Sequence, residues 1–506
     1  MTGRTHTVNN QVPPLVGYDV FAADRALTAA VERHLDPGLL DEALGELSGL
    51  GRTSGSAQVQ EWGALANENP PRLRTHDRYG NRVDEVEFHP SWHRLLGKGV
   101  SAGLTTAWTR PGGHVRRAAA FLVWTQVEAG NGCPLSMTHA AVPALRTDPE
   151  LAAEWEPRLT SEVYDRDLRP AHLKAGALFG MGMTEKQGGS DVRANQTSAR
   201  PLAEDGTYEL TGHKWFCSAP MSDGFLVLAQ APGGLTCFLV PRVFEDGTRN
   251  VFLIQRLKDK LGNRSNASAE VEFDGTWARR VGEEGRGVRT IIEMVAATRL
   301  DCVLGSAGLM RQAVAQAVHH CTHRTAFGGK LVDKPLMRNV LADLAIESEA
   351  ATTLAVYKRH AADRGADRQV LGDQAVPGGG GRGGGVPGRQ RVRRGVRAAP
   401  AGAGVAAQLD LGGRGQRPGA GRAAGAAAGT RGARRVSAGG RAGARRRSPA
   451  RRGHQEPADR TRRPGGRGGA GAAAGGAAGA GAPGVAARPV RAAGGRGRVL
   501  RGAAGR

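Results

Sequence analysis

Aromatic residues make up only 5% of the 506-residue chain, and residues 376–506 contain none. That segment also lacks Ile, Met and Lys, and it holds just three leucines, Leu409, Leu411 and Leu500. Such a stretch cannot bury enough apolar surface to offset the entropy of ordering it, so it is expected to be disordered. Cysteine is scarce too. Cys133, Cys217, Cys237, Cys302 and Cys321 are odd in number and include no C-x-x-C pair, which argues against a disulfide framework and a zinc centre. No apolar run reaches the roughly 18 residues of a membrane span. Residues 1–14 are polar and lack the apolar core of a signal peptide. The expectation is a cytoplasmic protein with no bound metal and no membrane contact.

The net charge of +23 would ordinarily suggest a nucleic-acid partner. Its distribution says otherwise. Residues 376–506 hold 28 arginines against three acidic residues, leaving 42 basic and 44 acidic side chains in the first 375 residues. The basic excess belongs to the end of the chain, and the rest is near neutral.

Periodicity divides those first residues into three parts. Residues 20–175 read mostly as helices, with Ala107, Trp108, Val115, Ala118, Ala119, Leu122 and Val123 at mixed three- and four-residue steps across 106–126. Residues 178–285 read as short strands, notably 208–216, 225–229, 236–240 and 269–273, separated by Gly, Asp and Pro. Two helices follow. One runs from about Arg289 to His323; the other is opened by Pro335 and places Val340, Leu344, Ala351 and Leu354 near one face. Segregated helices, strands and helices indicate an α+β fold, with a helical domain over 1–177, a β-domain over 178–285, a second helical domain over 286–368, and the Arg/Gly/Ala-rich tail over 376–506.

Four segments carry chemistry. Gly180-Met-Gly-Met-Thr-Glu-Lys-Gln-Gly-Gly-Ser-Asp191 combines glycines, which permit close backbone approach, with the hydroxyls of Thr184 and Ser190; a Gly-rich turn entering a strand would look similar. Thr211-Gly-His-Lys-Trp-Phe-Cys-Ser218 is equally readable as a half-buried strand with Trp215 and Phe216 on opposite faces. Arg324-Thr-Ala-Phe-Gly328 suits phosphate contact through the guanidinium and also suits a helix C-terminus. Arg256-Leu-Lys-Asp-Lys-Leu-Gly-Asn-Arg-Ser-Asn-Ala-Ser268 alone reads as a solvated loop.

Taken together, these segments resemble the acyl-CoA dehydrogenase family. The resemblance implies FAD as cofactor, with Met181, Gly182, Met183, Thr184, Gly189 and Ser190 in the flavin-binding segment. It implies that Phe216 packs on the flavin and that Ser218 hydrogen-bonds near flavin N5. It also implies that Arg324 and Phe327 contact FAD, the arginine reaching the pyrophosphate of a neighbouring subunit. Pro335 departs from the Gln common in the family at that position. An acyl-CoA substrate would meet Ser190 and Arg264. With Asn9-Asn-Gln, Asn67–Pro71 and Phe88-His-Pro-Ser-Trp-His93 added, the chain from Thr5 to Arg368 is similar to the bacterial alkylation-response, isovaleryl-CoA dehydrogenase-like subfamily. That group consists of homotetramers that bind DNA through a folded C-terminal domain, so a DNA-protecting flavoprotein without catalysis is the alternative function.

The family's catalytic base is a Glu in a C-terminal Ile-Trp/Tyr-Glu-Gly segment, or at the position matching Thr298. Neither glutamate is present here, so no catalytic residue is assigned. Read one base out of frame, Gln408-Leu-Asp-Leu-Gly-Gly413 is compatible with Asn-Ser-Ile-Trp-Glu-Gly, the lost Glu falling across Gly412. Val386–Ala401 is likewise compatible with the family's preceding residues, although Gly402 is not. The tail is therefore expected to be an out-of-frame C-terminus, the second helical domain to be truncated, and tetramer assembly to be weakened.

Overall fold

The computed structural model describes residues 5–363. The expectations placed on 376–506 and on Gly412 lie outside the described residues. In chain order the N-terminal part comprises α1 (Arg25–His34), α2 (Leu40–Ser54), α3 (Ala57–Glu68), β1 (Arg72–His76), β2 (Arg82–Glu87), α4 (Pro90–Ser101), α5 (Gly113–Thr125), α6 (Gly132–Leu145) and α7 (Pro149–Leu159). Local chemistry sets several starts. Asp24, Ser56 and Asp148 accept from the amides of Leu27, Val59 and Leu151, and Pro90 and Pro149 occupy first-turn positions where no amide hydrogen is required.

Two features depart from the sequence reading. The antiparallel hairpin of β1 and β2 interrupts the helical region; its charged, short strands gave no apolar alternation to detect. The apolar residues of 106–126 belong to two elements, a short 3₁₀ turn at Ala107–Thr109 and α5. Between them Gly112 has φ +62°, and a Cβ there would lie 2.4 Å from Leu35. Every residue of α5 is buried, which accounts for its mixed spacing: a helix enclosed on all sides has no single apolar face.

The β-region comprises β3 (Phe179–Gly182), β4 (Ser198–Pro201), β5 (Thr207–Ser218), β6 (Gly224–Ala231), β7 (Gly234–Pro241), β8 (Leu253–Leu257) and β9 (Ser268–Val281). Pairing runs β6–β4–β5–β9–β7 and returns to β6, closing the sheet, while β3 lies parallel to β6. Leu210, Phe225, Phe238 and Phe273 fill its interior. A second core joins α6, α7 and the outer side of β3 and β6 to the start of α8 (Gly287–His323).

The helix α8 and α9 (Pro335–Asp363) complete the described chain, both near the positions that their sequence signals indicate. A fully buried ion pair ties α8 to α5: Arg117 donates to both carboxylate oxygens of Asp301 at 2.6 and 2.7 Å. On α9 the buried positions are Leu341, Ser348, Thr352, Ala355, Val356, Arg359 and Ala361. Val340, Leu344 and Leu354, grouped on one face by their spacing, are 45–53% exposed. Ala351, the fourth residue of that face, is half-buried against the core of the N-terminal helices, so the face lies at the edge of the packed surface.

Candidate active site

The flavin-like segment begins on β3 and leaves it at Met183. Its central element is a buried ion pair. The Glu185 carboxylate accepts from Lys214 Nζ at 2.7 Å, Thr197 Oγ1 at 2.6 Å, the amides of Gln196 and Thr197, and Gln187 Nε2. Burial would raise its pKa, but these hydrogen bonds and the Lys214 charge outweigh it and hold the carboxyl at about 2. Burial pulls the Lys214 ammonium down, with Glu185 opposing. Five donors on one carboxylate favour the ionised pair. Neither partner stood out by composition: they are 29 residues apart, and only the folding of β3 against β5 joins them.

That joining is local and visible. Asn195 Nδ2 donates to the Met183 carbonyl, the Trp215 amide to the Thr184 carbonyl at 2.8 Å, and the Lys186 amide to His213 Nε2. A Cβ on Gly182 would lie 3.2 Å from Cys217 Sγ and from the Lys214 stem. Beyond Glu185, Gly188 takes φ +144° with open space where a Cβ would be. A Cβ on Gly189 would come within 2.5 Å of Thr184 Oγ1. Gly182 and Gly189 are thus needed for the loop's own packing, and Gly188 alone of the three faces open space.

The second segment is not a regular strand. The β5–β9 register shifts between Lys214 and Cys217, and this bulge brings the Trp215 and Phe216 rings into a stack with centroids 4.2 Å apart. The opposite-face arrangement expected of an ordinary strand is therefore corrected. Trp215 Nε1 donates to Glu270 at 2.9 Å, and the Lys258 ammonium stands 4.1 Å from the Phe216 ring centre.

Past the bulge, Ser218 Oγ lies 2.9 Å from Ser268 Oγ, and Lys260 Nζ donates to Ser268 Oγ at 3.4 Å. The Cys133 thiol, on the first turn of α6, is pushed up by burial against the pull of Lys260 and of hydrogen bonds with Ser218 and Asn266. Burial brings half-buried Lys260 down to about 8, opposed by Cys133 and Glu128. Glu128 fixes this loop from the helical side: it accepts from Ser265 at 2.7 Å, from Asn67, and from the Gly130 and Asn131 amides. Sequence reasoning missed Lys260, Cys133 and Glu128. Lys260 lies within the Arg256–Ser268 segment but received no role of its own, whereas Glu128 meets Ser265 across 137 residues and no motif announces it or Cys133.

Met181, Gly182, Met183, Thr184, Gly189, Phe216 and Ser218 are thus carried on two adjoining segments. Ser190 is exposed just past the loop, and Arg264 is exposed on the loop between β8 and β9. Arg324 and Phe327 lie at the far end of α8. The Arg324 guanidinium donates to the Asn10 carbonyl, Asn10 Oδ1 accepts from the Thr325 amide at 2.9 Å, and Phe327 is 93% exposed at φ +52°. Asn10 is a clamp on this turn. On α8, Thr298 is buried and its hydroxyl donates to the Val295 carbonyl. Half-buried Glu293 stands five residues earlier, about 140° round the helix at 3.6 residues per turn, so it does not share the face of Thr298. A separate cavity of about 340 Å³ lies among the N-terminal helices, lined by Lys98, Arg110, Arg116 and Glu162 among others. The five cysteines are free. Among the described residues no cluster fits a metal ion and no helix is long and apolar enough to cross a membrane.

Three family descriptions match the chain in succession: the adaptive response protein AidB N-terminal domain over 10–166, the acyl-CoA dehydrogenase middle domain over 180–276, and the acyl-CoA dehydrogenase C-terminal domain over 285–375. The chain is 47% identical to AidB of Escherichia coli (strain K12) over 372 residues, 72% of this chain and 68% of that one. It is 31% identical to acyl-CoA dehydrogenase family member 11 of Caenorhabditis elegans over 314 residues, spanning 59% of this chain and half the length of that relative. Among solved structures, C. elegans ACDH-11 in complex with C11-CoA superposes with a TM-score of 0.66 at 27% identity, covering 74% of this chain and 66% of that one.

Proposed function

The chain belongs to the acyl-CoA dehydrogenase family, and from that premise we propose that it is a flavoprotein of the alkylation-response subfamily that holds FAD and an acyl-CoA but turns over poorly. The observation that carries this reading is the joining of the Gly180–Ser190 loop to the bulged end of β5. It sets the open backbone of Gly188, the Thr184 hydroxyl, the Phe216 ring and the Ser218 hydroxyl along two adjoining segments. These residues fit a flavin's needs: close backbone approach, an aromatic face and hydroxyl donors. Bound FAD would supply the hydride acceptor. Lys258 and Trp215 both lie about 4 Å from the Phe216 ring centre, so a flavin stacked on Phe216 requires Lys258 to swing aside. Ser190 and Arg264 are proposed to meet the acyl-CoA, and Arg324 with Phe327 to meet FAD across a subunit contact. The N-terminal match over 10–166 supports the subfamily, and the five free cysteines suit a reducing cytoplasm.

Poor turnover follows from the missing base. Thr298 has no carboxylate, Glu293 lies round the helix from it, and Gln408–Gly413 reads Gln-Leu-Asp-Leu-Gly-Gly. A positioned general base is worth roughly 10²–10⁴-fold. Purified protein is expected to show an oxidised-flavin spectrum that acyl-CoA bleaches only slowly, and a one-base change restoring Trp-Glu-Gly is expected to raise the bleaching rate by about 10² or more. Absence of a flavin spectrum would remove the cofactor reading and favour a DNA-binding protein without redox chemistry. Rapid bleaching by the unaltered chain would remove the claim of impairment.

A further inference from the structure

The hydroxyl of Ser218 stands in a hydrogen-bonded row that joins two of the segments singled out in the sequence. Ser268 Oγ is 2.9 Å from it, and Lys260 Nζ is 3.4 Å beyond. The buried Cys133 thiol stands near Ser218 and Lys260, both of which pull its burial-raised pKa back down. The row crosses from the β8–β9 loop to β9, β5 and the start of α6, so four separate stretches of chain converge on it. Glu128 pins the loop that carries Lys260 by accepting from Ser265 at 2.7 Å.

The chemistry of these groups gives the row a direction. An ammonium can only donate, whereas a serine hydroxyl has one hydrogen to give and two lone pairs. While Lys260 is protonated, Ser268 accepts from it and has its own hydrogen free for Ser218. Ser218 then accepts from Ser268, and its single hydrogen is left for a group outside the row. A neutral amine gains a lone pair and so permits the opposite order, in which Ser268 donates to Lys260, Ser218 donates to Ser268 and nothing is left to point outward; only the ammonium enforces the first order.

We propose that Lys260 is a positioning residue which, acting through Ser268, makes Ser218 present its hydrogen to the N5 nitrogen of the flavin. The inference rests on the reading of Ser218 as the flavin's hydroxyl partner and adds the group that orients it. Donation to N5 draws electron density toward the atom that receives hydride, so orienting this one hydrogen bears on the rate of reduction. The charged and titratable groups acting on Lys260 are Cys133 from α6, Lys258 from its own loop and Glu128 from the α5–α6 connection. Cys133 is raised above its ordinary range by burial, which leaves Lys260, at about 8, as the member of the row that titrates near neutrality.

The test uses the full-length protein loaded with FAD labelled with ¹⁵N at N5, and reads the N5 resonance by NMR. The wild-type resonance is expected to move with a midpoint near pH 8, the value to which burial brings Lys260. Ser218→Ala removes the hydrogen bond and fixes the resonance at the unbonded position. Lys260→Met moves it most of the way there and abolishes the titration; Lys260→Arg, which keeps a donating cation, restores the wild-type position and displaces the midpoint upward. A resonance that responds to Ser218→Ala but neither titrates nor responds to Lys260→Met overturns the role of Lys260 and leaves the flavin reading intact. A resonance indifferent to Ser218→Ala overturns the placement of Ser218 itself. Should Lys260→Met fail to fold, the wild-type titration alone decides, and its absence sinks the proposal.

Discussion

The joining of β3 to β5 and the end formed by α8 and α9 are built on opposite plans. In the first, buried polar groups satisfy one another across the two segments: Glu185 alone accepts from Lys214, Thr197, Gln196 and Gln187. In the second, apolar groups lack cover. Leu336, Val340, Leu344, Ile346, Leu354 and Tyr357 are all 45–78% exposed, although α9 buries another face well. A polar region closed on itself should fail abruptly when one member is removed. An uncovered apolar face should tolerate change in the monomer and respond only when something covers it.

The largest effect is expected at the first. Lys214→Met leaves the Glu185 carboxylate fully buried without its cation, and breaking such a pair costs about 3–5 kcal/mol. Urea denaturation should show that loss, accompanied by loss of bound FAD. A double variant that also carries Glu185→Gln should recover part of it, since a neutral amide no longer needs the ammonium. If Lys214→Met costs no more than a surface substitution, the ion pair does not hold the loop.

Acid should act next, where α9 meets the N-terminal helices. The Arg359 guanidinium donates to His114 Nδ1 at 2.5 Å and to His139 Nε2 at 2.6 Å, which requires both imidazoles to accept there. Burial, reinforced by nearby arginines, takes His114 down to about 3 and His139 well below its usual range. Above pH 6.5 folded and unfolded chains both leave these rings neutral, so neither contributes a pH dependence. Below it the unfolded chain takes up protons that the folded chain refuses. Stability therefore falls with pH toward 3, by about 1.4 kcal/mol per unit for each ring. Unfolding free energies measured between pH 7 and 5 should show this slope, and His114→Asn should make it shallower. A flat profile would mean that burial beside Arg359 does not keep the rings neutral.

How much of this was legible in the sequence depended on the range of the cause. Local causes could be read. Pro335 opens α9, and alternating apolar residues bounded by Gly and Pro mark β5, β6, β7 and β9. The β1–β2 hairpin was missed because its strands are charged, and the break at Gly112 because enclosed helices carry no stripe. At the site, the loop and the bulged strand announced themselves through Gly-Gly-Ser and Gly-His-Lys. The bulge itself, the Glu185–Lys214 pair and the Glu128–Ser265 contact arise from chain segments meeting in space, and no short window of sequence contains them.

The smallest expected effect on the monomer is at α9, and it decides what the exposed face is for. The spacing places Val340, Leu344, Ala351 and Leu354 near one face, and the fold packs Ala351 against the core while leaving the other three about half exposed. Replacing Leu344 and Leu354 by Lys removes no buried contact, so unfolding free energy should change by no more than about 0.5 kcal/mol. Leu341→Ala, on the inward face of the same helix, should cost about 2–5 kcal/mol. If copies of this chain cover the outward face, the two lysines should shift sedimentation toward the monomer while leaving the melting of that monomer unchanged. Equal destabilisation by both sets of substitutions would mean that the stripe packs within one chain. Sedimentation unaffected by the lysines would mean that self-association does not use this face.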